Sequence, residues 1–440
     1  MIETIQQKIE HKLSAGNLNE FISKADLMGH DMARLLQNEE ITTYFKVNAF
    51  EPAQAILSNA TDEQREIRLD TFFNPSLLNR SRLGQGKHDR GEAVVFANAP
   101  VSENDGKGIN RHFPVRVKGI SVLHKVVPKG ETWDVSVTGE FWGIDEMEEL
   151  YTVLNVGTLV LEEDAKVVIR GNVFSMICQQ LICHDSPSPY SYQIGILPTP
   201  YSVDFGHGPH NGPHGIDGRL GMSGLNGRPL DMHYSILGPI FADEENTGGL
   251  GGTDGEDGQA GTNGIKGRNG GMCKLAEITV RNLEGKLIVF SQAGAGGDGG
   301  HGGNGGDGGN GGDAMPGQKG FNKIVEGGKA GNGGNAGNGG DGGNAGHGGI
   351  ASNIYLRIPQ EAVPNIVMKS YPSLGGLPGN GGKAGEGGLA GGAPSAENAL
   401  LNCETGTDGK KGADGKDGQK GRSRESANLY LNDFPYQQLH

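Results

Sequence analysis

The sequence is poor in the residues that usually hold a chain of this length together. Four cysteines, Cys178, Cys183, Cys273 and Cys403, are spread over 440 residues. They are too dilute for a disulfide framework, and none forms a C-x-x-C pair. Large apolar side chains are also scarce: the hydrophobic fraction is 35%, against roughly 45–50%, glycine included, in globular chains. No stretch approaches the ~18 consecutive apolar residues of a membrane-spanning helix, so no membrane insertion is expected. The first residues, MIETIQQKIEHKL, carry charges where a secretory leader needs an apolar centre. A protein working outside the cell would then leave by a leaderless route or within a larger particle. The 38 Lys+Arg are outnumbered by 52 Asp+Glu, giving a formal charge of −14, which argues against nucleic acid as a partner.

Catalytic signatures are missing as well. There is no G-x-S-x-G elbow, H-E-x-x-H helix or phosphate-binding glycine loop after a strand. The acids Asp145, Glu146, Glu148, Glu149, Glu162, Glu163 and Asp164 could serve a polysaccharide-active enzyme, but acids near turns also form solvated edges. The expectation is a protein that is not an enzyme and needs no cofactor.

What the chain has instead is glycine, 79 residues of it, most conspicuously GGDGGHGGNGGDGGNGGD from Gly296 to Asp313. Glycine loses the most backbone entropy on ordering and buries no side chain, so such a run folds only if its amides find partners on neighbouring segments. A three-residue period is that of the polyproline-II helix, which makes no internal hydrogen bonds. It places Asp298, His301, Asn304, Asp307, Asn310 and Asp313 on one polar stripe and leaves two faces of glycine.

Six such runs follow Tyr201: Gly206–Gly227, Gly249–Gly270, Gly296–Asp313, Gly327–Gly349, Gly379–Gly391 and Gly406–Gly421. Between runs two and three, Ile278, Val280, Leu287 and Val289 alternate as strands, and between runs four and five Ile354, Leu356, Ile358, Ile366 and Met368 do the same. Asn428 to Leu431 follows run six. The other three connections lack clear alternation. This predicts three glycine hairpins on a β base, with rods of about 40–70 Å at ~3.1 Å per residue. Runs three, four and five, with two small-residue faces, are expected inside; runs one, two and six are expected at the edge.

Upstream, residues 1–45 read as helix, with Ile2, Ile5, Ile9 and Leu13 on one stripe and Phe21, Ile22, Met32, Leu35 and Leu36 continuing it past a Gly16-Asn17 break. These helices either pack on the next domain or dock onto a larger assembly or other copies of the chain. Residues 71–127 read as mixed and turn-rich. From Trp133 to Cys183, apolar pairs such as Val167 and Ile169, or Phe174 and Met176, recur at a spacing that suits the rungs of a β-solenoid. The predicted fold is mixed: a helical segment over 1–70, a short-stranded β-solenoid-like domain over 71–200, and a glycine-rich domain over 201–440 with interleaved strands.

Six periodic glycine runs over about residues 206–422 resemble polyglycine-II sandwich proteins, a group that includes distal-tip adhesins of T-even-type phage long tail fibres and a small antifreeze protein of snow fleas. The resemblance implies a rigid sandwich of six rods in three hairpins. In the adhesin family the tip loops touch the bacterial receptor. Collagen, which needs long uninterrupted Gly-X-Y and abundant proline, fits these short, nearly proline-free runs poorly.

Two metal readings arise. Asp298, Asp307, Asp313 and Asp341 could bind calcium, although the apolar position of a calcium β-roll repeat is missing. His207, His210 and His214 could bind a metal only with help from a neighbouring rod, because a three-residue period spaces successive side chains by about 9 Å.

The tip connections hold side chains that glycine rods cannot bury: Met232, Tyr234, Ile236, Leu237, Ile240 and Phe241; Met315, Phe321, Ile324 and Val325; Leu400 and Leu401. They form either a small cap or a receptor-binding surface. The reading these features favour is an elongated adhesin for a cell-surface protein or glycan, extracellular or associated with a particle or virion. The alternatives are a structural subunit of a filament or coat, an ice-binding protein and a polysaccharide-active β-solenoid enzyme.

Overall fold

The computed structural model describes residues 13–72, 95–98, 113–143, 150–185, 191–199, 210–241, 249–397 and 401–437. The fold is mixed, with few helices and mostly parallel sheets. Four helices stand near the N-terminus, α1 (Ala15–Leu27), α2 (Met32–Leu36), α3 (Phe50–Leu57) and α4 (Asp62–Phe72), with strand β1 (Ile41–Val47) between α2 and α3. The strands that follow are β2 (Val115–Val127), β3 (Thr132–Asp134), β4 (Leu150–Leu161), β5 (Lys166–Arg170), β6 (Val173–Cys183) and β7 (Ile194–Leu197). Among and after the glycine runs come β8 (Met232–Ser235), β9 (Gly238–Phe241), β10 (Ala276–Val280), β11 (Leu283–Glu284), β12 (Leu287–Gln292), β13 (Gln318–Lys319), β14 (Ile324–Val325), β15 (Ile354–Arg357), β16 (Ile366–Tyr371), β17 (Leu429–Leu431) and β18 (Phe434–Pro435).

Two sheets carry the core. A nine-stranded sheet runs β1-β2-β4-β6-β10-β15-β17-β18, with β11 beside β6, and a five-stranded sheet runs β16-β12-β7-β5-β3. The chain crosses from the larger sheet to the smaller and back, one strand further along each time. Within the larger sheet every pairing along the path from β2 to β17 is parallel, and the antiparallel β1 and β18 close its two ends.

Register explains why apolar residues recur in the sequence. Ile120, Leu154, Met176, Ile278, Leu356 and Leu431 stand side by side across the larger sheet. Trp133, Val167, Ile194, Val289 and Met368 do so across the smaller one. Both columns point inward to one core. That core holds residues from Ile120 to Ile196 together with residues from Cys273 to Leu429, so a boundary at residue 200 falls inside it. Cys178, Cys183 and Cys273 are buried there as free thiols. Burial pushes Cys183 and Cys273 up to about 12 and raises Cys178 as well, which makes them packing residues.

The N-terminal segment differs from a continuous helical stretch. Ser14 caps α1 by accepting from Asn17 N at 3.2 Å, so Gly16 and Asn17 begin a helix where the sequence suggested a break. Residues 41–47 form an edge strand paired to β2, and Val115–Val127 is one long strand within the stretch read as turn-rich. Ile2, Ile5, Ile9 and, within the stretch read as turn-rich, residues 81–92 and 102–111 lie outside the described residues. The helices lie on the outer face of the larger sheet, where Phe21, Ala25 and Leu35 bury against Leu123, and Ala53 and Leu57 sit among Val153, Val173 and Tyr355.

Polar groups fasten this layer. Arg68 and Glu277, each 1% exposed, pair at 2.5 Å, and Arg68 also reaches Asp433 at 2.7 Å. The Arg68 guanidinium lies 4.5 Å over the Tyr355 ring, and Asn59 N donates to Glu277 at 2.8 Å. Helix α4 and the link that precedes it are thereby tied to residues more than two hundred positions downstream.

His30 is a second fastening. Its ring nitrogens bond Ser121 Oγ at 2.8 Å and Thr43 Oγ1 at 2.7 Å, and burial pushes its pKa from 6.5 down to about 4. A folded value below the unfolded one means that the unfolded chain takes up the proton first. The stability His30 contributes is therefore intact above pH ~6.5 and is lost as pH falls toward ~4, by about 3 kcal/mol. Denaturant midpoints measured at pH 7 and pH 4 should differ less in His30→Gln than in the parent, and equal differences would refute this.

Candidate binding surface

The glycine runs are inserted where the chain passes from the smaller sheet to the larger: runs one and two between β7 and β10, three and four between β12 and β15, five and six between β16 and β17. Neighbouring runs are joined by main-chain hydrogen bonds. Run one bonds run three in parallel, from Gly212 N→Asp298 O to Gly227 N→Asp313 O at 2.7–2.8 Å, and run two bonds run four likewise. Runs one and two are antiparallel, from Arg268 N→His210 O to Thr253 N→Leu225 O, as are runs two and three, three and four, four and five, and five and six. The odd runs form one layer in the order one, three, five. The even runs form a second, in the order two, four, six.

Run three bonds to runs one, two, four and five; run four bonds to runs two, three, five and six. Run five bonds only to three, four and six, as run two bonds only to one, three and four. This corrects the grouping of run five with the interior runs: its second small face, Gly381, Ala384, Gly387 and Ala390, lies toward run six at the margin. Run five also starts one turn earlier than its glycine count suggested, because Gly376 N already bonds Gly346 O.

The polar stripe of run three does more than face water. Asp298, His301, Asn304, Asp307, Asn310 and Asp313 each accept the main-chain N–H of a residue of run five, from Leu377 to Gly392, at 2.6–2.9 Å. Asn332, Asn335, Asn338, Asp341, Asn344 and His347 of run four do the same for run six at 2.7–3.0 Å. Only a short side chain with an acceptor one or two bonds past Cβ can reach, which is why these positions are Asn, Asp or His.

This geometry bears on both metal readings. Asp298, Asp307, Asp313 and Asp341 each spend an oxygen on a main-chain amide, and no group of three metal-ligating side chains occurs among the described residues. His207 lies outside the described residues. His214 stacks on His301 with centroids 4.8 Å apart and planes 2° apart. His214 Nδ1 accepts from His301 N, and His301 Nδ1 accepts from Asn380 N. A neutral imidazole accepting at Nδ1 carries its proton on Nε2, so neither ring offers an Nε2 lone pair while these bonds hold.

Of the acids, Asp145, Glu146, Glu148 and Glu149 lie outside the described residues. Glu162 and Glu163 hold Lys129 in a turn at 2.9 and 2.5 Å, and Asp164 accepts from Ser191 Oγ at 3.1 Å.

At the end of the runs away from the sheets, the three connections meet. Met315 N bonds Leu250 O, Gly317 N bonds Leu401 O and Phe321 N bonds Pro239 O. Two short hairpins stand here, β8–β9 and β13–β14, in connections that show no clear alternation of apolar residues. They are two to four residues long per strand, too short for a period to register.

The structure divides the candidate residues into two groups. Phe241 and Val325 are buried around Leu250, with Met232 and Met315 packed against them, and Ile240 and Leu401 are half-buried. Tyr234, Ile236, Leu237 and Phe321 are exposed by 83%, 105%, 63% and 64%, and Ile324 is exposed beside them. Leu400 lies outside the described residues. The side chain of Phe241 sits where a Cβ on Gly320 would come within 3.0 Å, so the second hairpin rests directly on the first. Sequence reasoning missed Leu250 as the centre of this cap because it stands inside the glycine-rich run two.

Comparisons with family models, curated proteins and solved structures give no match to this chain. Among the described residues, no helix is long and apolar enough to cross a membrane.

Proposed function

We propose that the six runs are polyglycine-II rods forming a sandwich, that the two parallel sheets are the rungs of a β-solenoid, and that the protein is a non-enzymatic, elongated adhesin. The sandwich would hold its tip connections away from the base to contact a receptor on a cell surface. The N-terminal region would join the protein to a larger assembly, in an extracellular or particle-associated setting. The observation that carries this reading is the group Tyr234, Ile236, Leu237 and Phe321, exposed on two hairpins at the far end of a scaffold held by main-chain bonds. A frame fixed before binding lowers the ordering cost of the loops it presents.

The margins of the two layers support a discrete binding protein over a laterally grown filament or coat. Runs five and six carry Leu377, Lys383, Leu389, Lys410, Ala413, Lys416 and Arg422 where runs three and four carry short acceptors. A seventh run would find few side chains to receive its amides, and lysines at an edge oppose further pairing.

The test is to replace all three connections with short glycine-serine turns in the full chain. Attachment to target cells should disappear while circular dichroism and the melting temperature stay near those of the parent. Undiminished attachment by a folded variant would sink the adhesin reading.

A further inference from the structure

We infer that the rows in which the glycine runs leave the sheets form an acid-sensitive joint, closed while three histidines are neutral and loosened when they take up a proton. The joint lies apart from the tip and stands whether or not the connections meet a receptor. Along runs three and four, the side chains that receive amides of the next run are Asn or Asp at every position except His301 and His347. Run one adds His214, in the same row as His301. All three stand at the sheet end. His301 follows β12 and His347 precedes β15, while the rows toward the far end, from Asn304 to Asp313 and from Asn332 to Asn344, hold no histidine.

Each ring works through Nδ1. His214 accepts from His301 N at 2.9 Å, His301 accepts from Asn380 N at 2.9 Å, and His347 accepts from Arg422 N at 3.0 Å. An imidazolium carries a proton on both nitrogens and accepts nothing, so protonation sets two N–H groups against each other in place of each bond. An asparagine oxygen in the same place does not titrate. The His214 and His301 rings, stacked 4.8 Å apart, also repel each other once both are charged. Facing this pair from the adjoining rows are Asp217 on run one, Asp298 on run three and Lys383 on run five, with His210 and Arg268 near Asp298. The two carboxylates offset part of the repulsion. Around His347 stand Arg424, Lys266 and Arg422, all cations. Burial, and then these cations, hold His347 below the usual histidine value, so the bond it makes is intact above about pH 6.5 and is lost as pH falls below that. The main-chain bonds between the runs do not titrate, so the joint slackens without unfolding.

The test is hydrogen-deuterium exchange of the full chain at pH 7.5 and pH 5.0, with each rate divided by the intrinsic exchange rate at that pH. Peptides covering 376–382 and 420–424 should exchange about two- to tenfold faster at pH 5.0 on this scale, and those covering 304–313 should not change. The triple variant His214→Asn, His301→Asn and His347→Asn keeps an acceptor at each position, as Asn211, Asn304 and Asn344 do one triplet away. It should exchange alike at the two pH values. Unchanged protection of 376–382 and 420–424 in the parent, or a folded triple variant that keeps the pH dependence, would overturn the inference. The parent alone decides the matter if the variant fails to fold, because loosening that extends equally over 304–313 would place the effect outside the histidine rows and overturn it too.

Discussion

Replacing Glu277 with alanine is expected to lower the stability of the fold by about 3–5 kcal/mol, seen as a lower urea midpoint. The carboxylate is 1% exposed and pairs at 2.5 Å with the equally buried Arg68 while accepting Asn59 N at 2.8 Å. Lys24 adds to the demand. Burial lowers its pKa to about 8 against the opposing pull of Glu277 and Glu20, so losing Glu277 leaves one buried guanidinium short of charge and a buried ammonium less compensated. Breaking a buried pair costs more than removing it entirely. The double variant Glu277→Ala with Arg68→Met should therefore recover part of the loss, and a double variant less stable than either single one would show that the pair is not the source.

The second large effect is expected at Gly306. A Cβ there would lie 2.0 Å from Arg219 O and 2.5 Å from Arg219 C, both main-chain atoms of run one that cannot rotate away. Run four shows what accommodation costs. Its Ala336 stands opposite Gly385, and the two bonds made by Gly385, to Gly337 O and from Gly412 N, are 3.1 and 3.3 Å, against 2.8–2.9 Å one triplet either way in the first of these series. One methyl at a margin-facing position is absorbed by such small shifts. Between runs one and three the amides are closed on both layers, so Gly306→Ala should cost about 1–3 kcal/mol and Gly306→Val more. Limited proteolysis and thermal melts would report it as early cleavage within the glycine runs. A Gly306→Val protein as stable as the parent would refute the close approach.

Much of this arrangement is legible before any coordinates. The three-residue glycine period marks all six runs, and Ile278, Val289, Leu356 and Met368, the alternating residues between them, are core positions. Alternation works in β12 and β16 because one face is buried and the other is not; in β10 and β15 both faces are buried, and it persists because the face beneath the helices carries Glu277, Thr279, Tyr355 and Arg357. What could not be read is who lies next to whom. The roles of Asn304 and Asn335 depend on which run follows theirs in the same layer, and nothing local to either asparagine encodes that. A signal did exist: the third residue is confined to Asn, Asp and His throughout run three and, after Lys329, in run four, and is not in runs five and six. Strand β2 was obscured by its own composition, since Val115–Val127 contains two lysines, an arginine and a histidine; Lys118 donates to Ser136 O at 2.9 Å, and Lys125 pairs with Glu40 at 2.7 Å while lying over the Trp133 ring. The cap around Leu250 was hidden for the opposite reason, being a lone apolar residue in a polar, glycine-rich neighbourhood.

The rung-for-rung bonding of the runs also limits how the molecule can change in length. A triplet added to run three alone would leave its new amides facing nothing in runs one, two, four and five. Growth or shortening must therefore occur in concert across all six segments, in whole triplets. Single insertions are confined to the hairpin ends, where they alter the crown and leave the height of the shaft untouched.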